Sequence, residues 1–217
     1  MVIKKLLIEF IGTFFLATTF VLTNGSFLAP LAVGAVFAAL VYMGYAISGA
    51  HYNPATTLAM LILKKISVKD FSFYILIQLL ASFSGAFCYF LIWGRNMGIP
   101  RPSMEINILK SLFIETIFTF ILVLMYLFVT DKKSAGNNFY GLAIGLTLIG
   151  IGIASANTSG GAFNPAIGLG PMLVDKLFGT CSCNPFEYGW IYLAGPLIGG
   201  IVAAVAFRII NPNAGTS

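Results

Sequence analysis

Twice in 217 residues, an apolar stretch only ten residues long opens on Asn-Pro-Ala. Residues 54–63 follow Asn53, and residues 165–174 follow Asn164. Asn is a favoured N-cap and Pro a favoured first helical residue, so each stretch reads as a helix start. Ten residues of helix reach about 15 Å, half of a hydrocarbon core about 30 Å thick. Such a helix must begin in mid-membrane. Non-helical backbone at that depth is tolerated only where it lines a cavity or is buried in protein. The segments in front, Ser48-Gly49-Ala50-His51-Tyr52 and Ser159-Gly160-Gly161-Ala162-Phe163, suit such a backbone.

The rest of the chain supplies the membrane-spanning frame. Six continuous apolar stretches, roughly 5–23, 29–49, 71–93, 108–130, 139–156 and 188–209, are long enough to span as helices. None alternates, which excludes spanning strands. Only 9% of residues are charged and 59% are hydrophobic. Soluble domains carry about 25% charged residues, so a water-exposed surface could not be clothed. The expected class is an all-α membrane protein with six transmembrane helices and two re-entrant half-helices. The segment after Met1–Lys5 reads as the first span rather than a cleaved signal, for want of a small-residue cleavage site.

The net charge of +5 does not point to nucleic acid, because the basic residues sit at the ends of apolar runs and form no stripe among aromatics. No metal or cofactor site is expected. Cys88 lies mid-span, while Cys181 and Cys183 have no histidine near them, His51 being the only one. No paired carboxylates or nucleophile–base pair suggests an enzyme.

The two halves repeat. Ile8-Glu9-Phe10-Ile11-Gly12-Thr13-Phe14 matches residues 114–120 at five of seven positions, and Leu31-Ala32-Val33-Gly34 resembles Leu142-Ala143-Ile144-Gly145. Gly85 and Gly199 hold matching places. One channel domain, 1–217, is therefore expected, with a first repeat of about 1–94, a second of about 106–210 and a linker of about 95–105. Three spans per half make the repeat inverted. With both termini cytoplasmic, the inner segments carry Lys4, Lys5, Lys64, Lys65, Lys69, Lys132, Lys133 and Arg208, and the outer ones only Arg95, Arg101, Lys110 and Lys176. That bias favours this orientation.

The doubled Asn-Pro-Ala strings, Glu9 and Glu115 in the first span of each half, and Gly195-Pro196-Leu197-Ile198-Gly199-Gly200 together resemble the major intrinsic protein family, the aquaporins and aquaglyceroporins. The resemblance covers nearly the whole chain. It implies a homotetramer in the plasma or bacterial inner membrane. It also implies that Asn53-Pro54-Ala55 and Asn164-Pro165-Ala166 meet in the pore, lined by Gly49, Ala50, His51, Tyr52, Gly160, Ala162 and Phe163.

Physical chemistry assigns parts of this site independently. Each Asn oxygen caps its half-helix, which leaves an NH₂ group to donate into a lumen. Two helix N-termini facing each other present positive dipole ends, a barrier to cations and protons. A carboxyl group in an apolar span is costly unless satisfied, and re-entrant backbone has orphan N–H groups. Glu9 and Glu115 are therefore expected to brace the two loops.

The selectivity filter departs from the family. Counted without gaps from the motifs, its four positions fall on Val33, Gly152, Gly161 and Ile167. The family usually has an aromatic at the first and Arg at the last, and the aquaglyceroporin pattern places Asp where Gly168 stands. A filter without these is expected to be wide and apolar, unless Tyr or Phe side chains from neighbouring spans or from the loop at 94–107 refill it.

These features predict a passive channel for water and small neutral solutes. An aquaglyceroporin-like facilitator for glycerol, ammonia or urea is the alternative reading. A coupled secondary transporter is less favoured. Between Phe10 and Leu63 the only titratable side chain besides tyrosines is His51, and between Ser134 and Val174 only Tyr140 titrates.

Overall fold

The computed structural model describes residues 2–94, 98–179 and 184–212, so Met1, Arg95, Cys181 and Cys183 lie outside the described residues. Among the described residues, five helices are long and apolar enough to cross a membrane: α1 (Val2–Thr23), α2 (Ala29–Ser48), α4 (Val68–Trp93), α5 (Ile108–Val129) and α8 (Gly189–Ile210). The sixth apolar stretch forms α6 (Tyr140–Ser155), which at 16 residues is shorter than the run that predicts it. Its end is set by hydrogen bonding. The Ser155 hydroxyl turns back onto the Ile151 carbonyl (2.8 Å), and the Thr158 N–H closes a turn onto the Ser155 carbonyl (2.8 Å).

The two short stretches form α3 (Pro54–Ile62) and α7 (Pro165–Phe178). Helix α3 has 9 residues, close to the expected length, but α7 has 14. Apolarity ends at Val174, yet Asp175 and Lys176 continue the helix until the Gly179 N–H meets the Asp175 carbonyl (2.7 Å). A fall in hydropathy does not by itself end a helix.

The inverted repeat is visible in the packing. Helix α1 packs on α4 as α5 packs on α8, while α2 crosses α6 between the halves. At that crossing, a Cβ added to Gly34 would lie 2.7 Å from the Gly145 carbonyl oxygen, and one added to Gly145 would lie 2.6 Å from the Gly34 oxygen. The two glycines thus bring the backbones into contact, the close approach that small residues allow in membranes. Gly85 and Gly199 do the same for α1·α4 and α5·α8. The nearest atoms to their added Cβ are the carbonyl oxygens of Phe14 and Thr116, each at 2.4 Å.

Two opposite faces are tied off by polar contacts. On one, Lys65 at the end of α3 pairs with Asp131 after α5 (3.1 Å), the Tyr45 hydroxyl donates to the Thr130 carbonyl (2.9 Å), and Lys133 donates to Asn211 (3.2 Å). Burial pushes the Asp131 carboxyl up. The Lys133 backbone N–H and the Lys65 ammonium outweigh it and hold the group below the ordinary aspartate range. On the other face, the linker folds back over the second re-entrant loop. The Ser103 N–H donates to the Thr158 carbonyl (2.8 Å), and backbone of Arg101 lies against Gly160. Cys88 is partly buried in α4.

Candidate functional site

The segments before α3 and α7 cross the centre of the bundle with the same unusual backbone. Gly49, Ala50 and Tyr52 have φ of 89°, 52° and 49°; Gly160, Gly161 and Phe163 have 81°, 63° and 47°. Ala50, Tyr52 and Phe163 are held in a conformation that costs a non-glycine residue about 1 kcal/mol or more. Something must over-determine it.

That role falls to the two glutamates, as expected from their places in apolar spans. The Glu9 carboxyl accepts four hydrogen bonds: from the Ser48 hydroxyl (2.7 Å), the N–H groups of His51 (2.9 Å) and Tyr52 (2.8 Å), and the Gln78 amide (2.9 Å). The Glu115 carboxyl accepts from the Ser159 hydroxyl (2.7 Å) and the N–H groups of Ala162 (3.1 Å) and Phe163 (2.7 Å). Both glutamates are fully buried. Tyrosines fix the loops from outside: the Tyr74 hydroxyl donates to the Ser48 carbonyl (2.8 Å), and that of Tyr192 to the Ser159 carbonyl (2.5 Å).

The loops deliver Asn53 and Asn164 to one point. Each side-chain oxygen caps its own helix, accepting from Ala55 N–H (2.8 Å) and Ala166 N–H (3.0 Å). Each NH₂ then reaches across. Asn53 Nδ2 donates to the Phe163 carbonyl (2.9 Å), and Asn164 Nδ2 donates to the Tyr52 carbonyl (2.8 Å). This corrects the expectation of a wholly free NH₂ group. An amide nitrogen has two N–H donors, so one fastens the loops together and one remains. Pro54, Ala55, Pro165 and Ala166 are buried behind the caps.

The His51 side chain is held inside the same brace. Its side chain is 1% exposed, with Nδ1 3.2 Å from the Thr57 hydroxyl and its ring edge-on to those of Tyr74 and Tyr126. Thr57 continues through Gln78 to Glu9, so the imidazole belongs to the bracing network. The Gly49 carbonyl in turn accepts from the Tyr126 hydroxyl (2.6 Å). Tyr126→Phe is expected to lower stability by about 1 kcal/mol, the net value of one hydrogen bond. Thermal unfolding of the purified protein in detergent checks this.

Two connected cavities lead to this point. The larger, about 470 Å³, opens at the turns after α1 and α6 and is lined by Phe20, Asn24, Val33, Gly152, Asn157 and Gly160 among others. The smaller, about 20 Å³, is lined by Leu16, Phe37, Asn53, Leu122, Asn164 and Ile167, with Ala162 beside them. Its volume holds about one water. Four residues line both cavities and so mark their junction: Phe20, Val33, Leu148 and Gly161. Two of the four counted positions, Val33 and Gly161, stand at this junction. Gly152 lines only the larger cavity and Ile167 only the smaller. Of the loop at 94–107, the described residues, 94 and 98–107, line neither cavity.

An inverted repeat whose half-helices meet head to head beside a one-water cavity defines a membrane-channel scaffold. Comparisons narrow the class. The sequence profile of the major intrinsic protein family matches residues 2–207. The chain is 31% identical to the aquaporin AqpM of Methanothermobacter thermautotrophicus, over 96% of this chain and 97% of that one. It is 33% identical to the glycerol uptake facilitator protein-like 6 of Lactiplantibacillus plantarum, over 96% and 98%. The X-ray structure of the aquaglyceroporin from Plasmodium falciparum superposes with a TM-score of 0.83, at 24% identity and full coverage of both chains. This chain belongs to the major intrinsic protein family and is an integral membrane protein with the aquaporin-like fold.

Proposed function

We propose that the chain is a passive pore for water and small neutral solutes, closed to ions and protons at the Asn53–Asn164 junction. The one-water cavity at the meeting of two half-helix N-termini carries this reading. Each N-terminus contributes about half a positive charge, and the remaining amide N–H groups offer neutral donors. Water and uncharged solutes can exchange hydrogen bonds there, while a cation meets two positive ends.

Glycerol and similar solutes are included because Ile167 stands where the family carries Arg, and because one relative bears a glycerol-facilitator name. Coupled transport is disfavoured. His51, the one titratable side chain besides Tyr52 in the two loops, is packed into the bracing network. We read the chain as a non-enzyme. It is proposed to sit as a homotetramer in a plasma or bacterial inner membrane, with the Lys65–Asp131 face and both termini cytoplasmic and the larger cavity outward. The proposed division is a first repeat of about 1–94 and a second of about 106–210.

Stopped-flow light scattering of proteoliposomes tests the function. Water flux above that of empty vesicles is expected, with glycerol flux and no dependence on a proton or sodium gradient. No excess water flux, or flux that follows an ion gradient, refutes it.

A further inference from the structure

The outer constriction lacks both its aromatic residue and its arginine, yet its size must be set by some side chain. At the junction of the two cavities stand Phe20, Val33, Leu148 and Gly161. Phe20 is the one aromatic of the four, and Gly161 gives the facing loop no side chain at all. Phe20 is partly buried and packs against both the central core and the cluster of Val21, Ala86 and Val174. Its ring is therefore held from the side while it borders the lumen. A ring so supported sets a stable edge.

The helix register explains its place. Glu9, Thr13, Leu16 and Phe20 follow the spacing i, i+4, i+7, i+11, one face of α1 over three turns. Glu9 braces the loop, Leu16 lines the narrow cavity, and Phe20 ends the stripe at the wide one. Helix α5 repeats the pattern as Glu115, Thr119, Leu122 and Tyr126. Leu122 also lines the narrow cavity, and Tyr126 ends its stripe at the Gly49 carbonyl. Of the two repeat-related aromatics, Phe20 thus borders the cavities and Tyr126 braces the first re-entrant loop.

Resting on the channel reading above, we propose that Phe20 on the first helix is the specificity-determining residue of the outer constriction. It sets the solute size limit in place of the usual filter aromatic and arginine. The ring bounds one wall, and the side-chain-free Gly161 leaves room on another.

The test uses the full chain in proteoliposomes, measuring water, glycerol and erythritol permeability for wild type, Phe20→Ala and Phe20→Leu. The ratio of erythritol to water permeability is expected to rise about tenfold or more in Phe20→Ala, which removes a whole ring where a single methylene in a pocket already confers about tenfold discrimination. Phe20→Leu keeps most of the packing volume without the ring and is expected to rise less. Adding Val33→Phe to Phe20→Ala returns a ring from another wall and is expected to restore the wild-type ratio. Unchanged ratios in reconstituted variants that conduct water overturn the proposal. If Phe20→Ala does not reconstitute, an unchanged ratio in Phe20→Leu overturns it alone. A wild type without water flux refutes the channel reading itself, a different outcome from water flux with an indifferent Phe20.

Discussion

Asn53→Asp is expected to lower water permeability about tenfold or more and to open a cation leak, because one atom exchange reverses two interactions at the pore centre. Asn53 Nδ2 donates to the Phe163 carbonyl at 2.9 Å, and a carboxylate there sets oxygen against oxygen. One of the two reciprocal ties between the loops is lost, while that from Asn164 to Tyr52 remains. The electrostatic change is as large. Two helix N-termini, each equivalent to about +0.5, together present about one positive charge, and a carboxylate cancels it. Leaving the Phe163 carbonyl without its donor also destabilises, by about 1 kcal/mol or more. Asn164→Asp should behave alike, since its geometry mirrors that of Asn53. Water flux in proteoliposomes, conductance across planar bilayers and thermal unfolding check the three parts. Wild-type water flux with no ion conductance contradicts the role given to Asn53.

The bracing glutamates show what a sequence makes legible. A carboxyl in an apolar span has to find donors, a loop entering the membrane has to find acceptors, and the repeat supplies two of each. That reasoning needs no coordinates, and the geometry at Glu9 and Glu115 agrees with it. The Asn NH₂ groups show the limit. Their capping role is local and readable. Their donation across to Phe163 and Tyr52 depends on how closely two loops 110 residues apart approach, which no local pattern states.

The filter lies between these cases. Counting from the motifs reaches Val33 and Gly161, which stand at the cavity junction, together with Gly152 and Ile167, which lie to either side of it. It misses Phe20 and Leu148, which reach the lumen from faces of α1 and α6 set by helix rotation. A signal for Phe20 was nonetheless present. It stands 11 residues beyond Glu9, three turns along the same face, and Glu9 has to face the interior. The extra length of α7 had no such signal, since polar residues beyond Val174 suit a helix end as well as a loop.

Ile167→Arg is expected to reduce glycerol permeability about tenfold while lowering water permeability much less, the size of effect that one steric or hydrogen-bonding change in a pocket produces. Ile167 is 3% exposed and lines the narrow cavity just beyond the junction ring. Its side chain has bulk but no donor and no charge. An arginine there is longer than the 20 Å³ cavity can hold, so its guanidinium must extend past Gly161 toward the larger cavity. Neither Gly161 nor Gly152 has a side chain to oppose it. The gap that Gly161 leaves opposite Phe20 is then filled, and the three-carbon chain of glycerol meets steric resistance that a single water does not. The five N–H donors of the planar group replace part of the hydration of a passing water, so water retains a path. The fixed positive charge adds a second barrier to cations, placed before the helix dipoles. Paired measurements of glycerol and water flux on wild type and Ile167→Arg, in vesicles with matched protein content, decide the matter. If the wild type excludes glycerol as fully as the arginine variant does, Phe20 and its neighbours already close the filter and the absence of the arginine has no effect on selectivity.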